Sequence, residues 1–246
     1  MRLTVFLIWI FAIVSFGQTA IAADPAGSVN TSKAITVSID TVETLTQAVS
    51  QSNALNDAEK NDLSLQLEQA KSWILSSTKT LEVLNTEKQN VADSSKRELE
   101  ININLARLTK KLEEIQKLTQ EVISNDRLNT LLDTTQNALD LANDNYLKWD
   151  KALNQFQALA VSGAKQKVNL EQTLEKFTQN TSNNTVSKQT DLSTQVSVFS
   201  FKARQELLQN NLNLLDFQIN NLGDLTKNAQ VERDYWQKNK ALELQI

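Results

Sequence analysis

The chain has 246 residues, 22% of them charged, and a formal net charge of −4. It contains no cysteine and no histidine, which excludes disulfides, zinc or copper sites built on these ligands, and catalysis by a thiolate or an imidazole. Acidic and basic residues are interspersed without a basic patch, so we expect no nucleic-acid partner. With four glycines and one proline, turn formers are too scarce for a β-rich domain, and the composition favours long helices.

The first residues resemble a secretory leader. Met1-Arg2 gives a basic start, an apolar run covers residues 3–16, and Ala20-Ile21-Ala22 provides the small-x-small pattern before a cleavage site. The run is shorter than the roughly 20 apolar residues of a spanning helix. We therefore expect a signal peptide at 1–22, export to the periplasm with a mature chain beginning near Ala23, and no transmembrane segment in that mature chain.

The mature chain is expected to begin with a flexible lead-in over residues 23–40. A helical coiled-coil domain follows over residues 41–246, and its first helix is short, covering about residues 41–54. Next, Asn56 and Glu59 have the spacing of a helix cap and its acidic partner three positions later.

Three stretches then carry apolar residues at alternating steps of four and three, which is the buried seam of a coiled coil. The first seam is Leu63, Leu67, Ala70, Ile74, Ser77, Leu81 and Leu84. After a polar stretch at 87–96, the second seam is Ile101, Leu105, Leu108, Leu112, Ile115, Thr119 and Val122. A turn with a new helix cap is predicted at 124–126, and the third seam is Leu128, Leu132, Thr135, Leu139, Ala142, Tyr146, Trp149, Leu153, Phe156 and Ala160.

Gly163 is expected to break the third helix, which resumes briefly around Val168, Leu174 and Phe177. A polar linker follows near residues 180–188. The last segment starts near Leu192, and Gln205 interrupts its apolar stripe. The stripe consists of Val198, Phe201, Leu208, Leu212, Leu215, Ile219 and Leu222.

A helix end or kink is predicted at Gly223-Asp224, followed by a final helical stretch that contains residues 233–236. Isolated helices of this kind are unstable in water, so their seams must be buried against one another. The predicted fold is all-α, an elongated antiparallel bundle or coiled coil of long helices. A self-associating coiled coil would bury the same seams between chains, so a homo-oligomer stays open.

We predict no catalytic residue, no cofactor-binding residue and no metal ligand, and hence no enzyme and no cofactor. Glu113 and Glu114 are adjacent on a helix and point about 100° apart, so they do not converge on one substrate atom. Lys110-Lys111 is interpreted as a solvated face, and Ser162-Gly163 lacks the turn and the histidine that a serine nucleophile requires. Six aromatic residues could form a ligand platform, namely Trp73, Tyr146, Trp149, Phe156, Tyr235 and Trp236. Tyr146, Trp149 and Phe156 lie on the third seam and are interpreted as buried between helices, and Trp73 lies beside the seam position Ile74.

Two parts of the chain resemble the periplasmic "porin domain", the N-terminal helical region of large MscS-type mechanosensitive ion channels. The similarity extends from about residue 41 to 240 and is weakest between 125 and 190. The segments that carry it are Leu55-Asn56-Asp57-Ala58-Glu59-Lys60 with the helix through Trp73, then Ala203-Arg204-Gln205-Glu206-Leu207-Leu208, Leu212-Asn213-Leu214-Leu215-Asp216 and Arg233-Asp234-Tyr235.

This resemblance implies a non-catalytic periplasmic helical module that senses or binds, without a pore of its own. Its implied partners are an envelope protein or the cell wall, including the core of a mechanosensitive channel. The alternative is an unrelated envelope coiled coil that acts as a scaffold, an adaptor or a holdase chaperone.

Overall fold

The structure, a computed structural model, describes residues 36–118, 125–182 and 191–245, and every regular element within them is an α-helix. The predicted all-α fold of long, packed helices is confirmed. The signal peptide at 1–22, most of the lead-in and residues 183–188 of the linker lie outside the described residues. The helices are α1 (Ile39–Gln51), α2 (Asp57–Ala92), α3 (Ser94–Leu118), α4 (Asn125–Ser182), α5 (Leu192–Asn220) and α6 (Leu222–Glu243).

Side-chain caps fix where the first two helices begin. The Ser38 hydroxyl accepts a hydrogen bond from the backbone N–H of Thr41 at 3.2 Å, so α1 begins at Ile39, slightly before its predicted start. Asn56 and Glu59 form the expected capping box. The Asn56 side chain accepts from the N–H of Glu59 at 3.0 Å, and the Glu59 carboxylate accepts from the N–H of Asn56 at 2.8 Å.

A compact apolar cluster holds α1 against the beginnings of α2 and α5. Each fully buried aliphatic or aromatic side chain in such a cluster contributes roughly 1.5–3 kcal/mol relative to exposure. The cluster consists of Val42, Leu45, Val49, Leu63, Leu67, Ala70, Ile74, Val196, Phe199 and Ala203.

Single-residue breaks divide two longer helical arms. Asp93 separates α2 from α3, yet hydrogen bonding continues across it, from the N–H of Asp93 to the carbonyl of Gln89 at 2.8 Å and from the N–H of Arg97 to the carbonyl of Asp93 at 2.9 Å. Asn221 separates α5 from α6 in the same way, two positions before the kink predicted at Gly223. We call residues 57–118 the α2–α3 arm and residues 192–243 the α5–α6 arm.

These two arms pack side by side in the same direction. Polar partners across the contact lie between 129 and 138 positions apart in the sequence. A nearly constant separation arises only when two helices run parallel. Pairs along the full contact are Gln66–Ser200, Thr80–Asn211, Arg97–Glu232 and Lys111–Glu243.

Helix α4 runs antiparallel to the α5–α6 arm, as the predicted antiparallel bundle requires, whereas the parallel packing of the α2–α3 arm on the α5–α6 arm departs from that prediction. As the residue number rises along α4, the residue number of its contacts in the α5–α6 arm falls. The 58 residues of α4 extend about 87 Å at 1.5 Å per residue. Among the described residues, α2 and α3 pack against the α5–α6 arm and not against α4. The contacts that set the α4 direction are Asn143–Lys240, Gly163–Ile219, Lys167–Asp216 and Phe177–Phe201.

The helix break predicted at Gly163 is wrong. α4 continues through this position to Ser182, which also takes in the first residues of the predicted linker. Gly163 is buried, and a Cβ atom there would lie 3.2 Å from side-chain carbons of both Ile219 and Leu159. The glycine therefore permits a close approach between α4 and α5 rather than ending a helix.

The first seam is buried along its length except at Leu81. In the second seam Ile101, Leu112 and Ile115 are buried and the two leucines between them are half-buried, while Thr119 and Val122 lie outside the described residues. Both seams are therefore the packing faces of the α2–α3 arm.

The third seam is buried only in its middle, which corrects the prediction at both ends. Leu128 and Leu132 are 53% and 65% exposed, because α6 ends at Glu243 and its Lys240 already lies opposite Asn143. Ala160 is exposed as well, since the next turn contacts α5 through Gly163 instead.

Helix α5 has two packing faces where the sequence analysis identified one. The predicted stripe includes Phe201 and Ile219, which contact α4 and are half-buried. The fully buried side chains Val196, Phe199 and Ala203 lie on a different face, in the cluster with α1 and α2. α5 is thus packed between two helical partners. Among the described helices, none combines the length and hydropathy that crossing a membrane requires.

Candidate functional site

The contact between the two parallel arms contains a row of polar pairs at heptad spacing. Successive members on each helix are seven residues apart, and every pair is separated by 131 positions. This spacing follows from the 3.5-residue repeat, which returns a side chain to the same side of a coiled coil every heptad. The members of this polar row are Trp73 with Arg204, Thr80 with Asn211, and Glu87 with Gln218.

Hydrogen bonds hold the middle of the row in register. The Thr80 hydroxyl bonds the Asn211 side-chain oxygen at 2.9 Å. Three residues earlier on α2 and one residue earlier on α5, the Asn210 amide donates to the buried Ser77 hydroxyl at 2.7 Å. Buried polar partners of this kind stabilise one alignment, because a slipped alignment would leave them unpaired next to apolar side chains.

Glu87 ends the row and is incompletely satisfied. Its Oε1 accepts a hydrogen bond from the Gln218 amide at 2.8 Å, whereas its Oε2 is buried without a partner. Burial raises the pKa of the Glu87 carboxyl above its ordinary value, and the hydrogen bond from Gln218 opposes that rise. The folded state therefore binds the Glu87 proton more tightly than the unfolded chain does.

Just beyond Glu87 the two arms enclose a cleft of about 190 Å³, which we call the junction cleft. Asp93, at the break between α2 and α3, lines this cleft, and the Asn228 amide donates to the carbonyl of Asn90 at 3.1 Å beside it. The break between α5 and α6 at Asn221 lies one heptad before Asn228, so the two breaks are staggered along the contact. Charged side chains from both arms line the cleft, and Trp149 of α4 lines it as well. The α2–α3 arm, the α5–α6 arm and α4 thus all contribute side chains to the junction cleft.

A charged network crosses the junction cleft. The buried Glu232 carboxylate accepts from Arg97 through both oxygens, and Trp236 Nε1 donates to it at 3.2 Å. Arg97 also reaches Glu100 at 3.3 Å. The hydrogen bond to Glu232 is the main reason that the pKa of the Arg97 guanidinium lies above its ordinary value. Because Arg97 is about half exposed, the network connects a buried charge to solvent.

A second buried acid lies near the end of the α5–α6 arm. Glu243 is 4% exposed and pairs with Lys111 at 3.4 Å, while the neighbouring Lys110 pairs at 3.8 Å with Glu114 on the surface. The Lys110 and Lys111 side chains are 77% and 41% exposed, in line with the predicted solvated face, and Lys111 in addition pairs with a buried carboxylate. Sequence analysis missed this pair because its members are 132 positions apart and neither belongs to an apolar stripe.

The other residues considered from the sequence are not brought together. Glu113 and Glu114 are both exposed on α3, and the Ser162 hydroxyl donates to the carbonyl of Ala158 at 2.9 Å inside α4. Among the described residues, no group of three acidic side chains is placed to hold a metal ion. Of the aromatic residues, Tyr235 is buried, and those that are half-buried are Trp73, Tyr146, Trp149, Phe156 and Trp236.

This arrangement can hold two parallel helices in one register and place charged groups beside the break between α2 and α3. The sequence analysis did not identify the polar row, although Trp73, Thr80 and Glu87 are seven residues apart in the sequence. That spacing becomes informative only once the partner helix is known.

No family model, no curated protein and no solved structure matches this chain.

Proposed function

We propose that the protein is a non-catalytic helical interaction or sensor module of the bacterial periplasm, similar in kind to the N-terminal region of large MscS-type channels. In this proposal residues 1–22 direct export, and the module acts through contacts with an envelope partner, including a channel core. It forms no pore of its own.

The observation that supports this proposal most is the polar row between the parallel arms. Buried polar pairs contribute less stability than apolar packing and specify register instead. A contact built in this way resists sliding, so a displacement applied to one arm is passed to the other. That property suits a module that transmits a mechanical or binding signal along its length.

The junction cleft supports the same proposal, because the α2–α3 arm breaks at Asp93 in the lining of the cleft while α4 passes it without interruption. A break in regular helix concentrates bending at one point. Arg97, Lys227 and Glu98 carry solvent-exposed charge beside this break, which gives a partner groups to recognise where the arm bends.

Single cysteines test the proposal directly, because the chain has none of its own. Lys227→Cys places a thiol at the junction cleft, and Ser72→Cys places one on an exposed face of α2 as the matched control. The full chain is expressed in a bacterial host that carries the native gene neighbourhood. A membrane-impermeant cross-linker is added to cells whose outer membrane has been made permeable, and adducts are identified by mass spectrometry.

We expect both thiols to react without lysis, the mature N-terminus to be near Ala23, and Lys227→Cys alone to cross-link an inner-membrane channel protein. Reaction only after lysis would contradict a periplasmic location. Equal adducts at both positions, or none at either, would contradict a partner at the junction cleft.

A further inference from the structure

Arg204 at the start of the polar row is held between two aromatic rings from different helices. Its guanidinium carbon lies 5.6 Å from the ring centre of Trp73 on α2 and 4.7 Å from that of Phe177 on α4. Phe177 in turn stacks on Phe201, with ring centres 4.4 Å apart and planes at 10°. The position of this cation is therefore fixed by three helices.

The charge of Arg204 has no carboxylate partner within the described chain. There, Arg97 and Arg233 each form a salt bridge within 4.0 Å, whereas Arg204 contacts ring faces and is exposed to solvent. It also differs from the other α5 members of the polar row, Asn211 and Gln218, whose side chains are hydrogen-bonded to α2.

Stacking uses the face of a guanidinium and leaves its N–H donors, which lie in the plane, free to bind. Such donors suit carboxylate and phosphate oxygens, which a guanidinium can bind through two parallel hydrogen bonds. A side chain already fixed by its neighbours loses less conformational entropy on binding than a mobile one.

We propose that Arg204, with Trp73 and Phe177 on either side, forms a binding site for an oxyanion, either a carboxylate or a phosphate group. The site takes this group through the guanidinium N–H donors, and the two rings hold the donors in place. This inference goes beyond the proposed function, because it assigns a ligand chemistry to a position outside the junction cleft and does not depend on the identity of the partner.

The test uses ¹⁵N-labelled protein and the arginine Nε–H resonances, with the Arg204 signal assigned from Arg204→Lys. Sodium acetate and sodium phosphate are titrated separately at constant ionic strength against sodium chloride. Arg107 is the internal control, since it is an exposed arginine of α3 for which no ring or carboxylate contact is found within the described chain. We expect the Arg204 signal to saturate at about a fivefold lower anion concentration than that of Arg107. Preference for acetate or phosphate identifies which oxyanion the site takes.

Equal midpoints for Arg204 and Arg107 with both anions would overturn the proposal. In Trp73→Leu, which keeps an apolar side chain and removes one of the two rings, we expect the Arg204 midpoint to rise towards that of Arg107. An unchanged midpoint in a folded Trp73→Leu protein would overturn the role of the ring. If this variant fails to fold, the comparison within the unaltered protein still decides the outcome.

Discussion

Glu87→Gln should change how the stability of the protein depends on pH. The Glu87 carboxyl is buried with one unpartnered oxygen, and burial raises its pKa from the ordinary 4.5. A raised pKa means that the folded state binds the proton more tightly than the unfolded state does. The contribution of Glu87 to the free energy of unfolding therefore falls as the pH rises from about 4.5 through the raised pKa, by up to about 1.4 kcal/mol per pH unit. Above the raised pKa this contribution no longer changes with pH.

Glutamine at this position keeps an oxygen for the Gln218 amide and carries no charge. A buried, unpaired charged group costs at least about 1–3 kcal/mol, and a neutral amide that lacks one hydrogen bond costs less. We therefore expect Glu87→Gln to raise the free energy of unfolding by about 1 kcal/mol at pH 8, which corresponds to about 2–4 °C in Tm for a chain of this size. At pH 4.5 the gain should shrink towards zero, because the carboxyl is then mostly protonated in the folded state.

Urea unfolding of both proteins, followed by circular dichroism in steps from pH 4.5 to pH 8, measures this difference. Comparing the two proteins at each pH cancels the contribution of every other titrating group. Glu113→Gln is the matched control, because it makes the same substitution on the exposed surface of α3, and we expect it to change the stability less than Glu87→Gln does at pH 8. A stability difference for Glu87→Gln that is the same at both ends of the pH range would refute the reasoning.

Arg97→Ala leaves the buried Glu232 carboxylate with one remaining hydrogen-bond donor, Trp236 Nε1. We expect this variant to lower the free energy of unfolding, measured in urea, by about 2 kcal/mol. The loss is smaller than for a fully buried ion pair because Arg97 is half exposed. Adding Glu232→Gln to Arg97→Ala should recover part of the lost stability. An Arg97→Ala protein as stable as the unaltered protein would contradict the role of this network. Leu153→Asp should lower the free energy of unfolding by at least about 3 kcal/mol, because Leu153 is only 5% exposed. Leu139→Asp should lower it less, because Leu139 is half-buried. A lower Tm for Leu139→Asp than for Leu153→Asp would contradict this packing of α4. Gly163→Leu should lower the free energy of unfolding by about 1–3 kcal/mol, because the larger side chain crowds Ile219 and Leu159. Gly163→Ala should be nearly neutral, because a gain of about 1 kcal/mol in helix propensity offsets the close contact of its Cβ atom with the same two side chains. Thermal unfolding distinguishes the two variants.

The sequence predicts those features that depend on neighbours within a few turns. The capping box at Asn56 and the seam from Leu63 to Leu84 are local patterns, and the structure has them where the sequence places them. Composition alone is sufficient for the all-α class, because so few glycines and prolines cannot supply the turns of a sheet.

Features that depend on the partner helix are the ones the sequence analysis missed. Glycine often ends a helix, so the sequence predicts a break at Gly163. The close approach of Ile219 shows instead that this glycine makes room for helix packing. Leu128 and Leu132 continue a regular seam, but the helix that would cover them has already ended. The polar row likewise requires knowing that residues 131 positions apart are adjacent.

The parallel packing of the two arms has a consequence for the order of folding. α4 and the α5–α6 arm are consecutive in the chain, so their antiparallel contact closes a short loop. The α2–α3 arm meets partners at least 129 positions later, and closing so long a loop costs more entropy and slows folding. We expect α4 and the α5–α6 arm to pair first and the α2–α3 arm to dock last. During synthesis, then, the arm that is completed first keeps its apolar seam exposed until the C-terminal arm has been made.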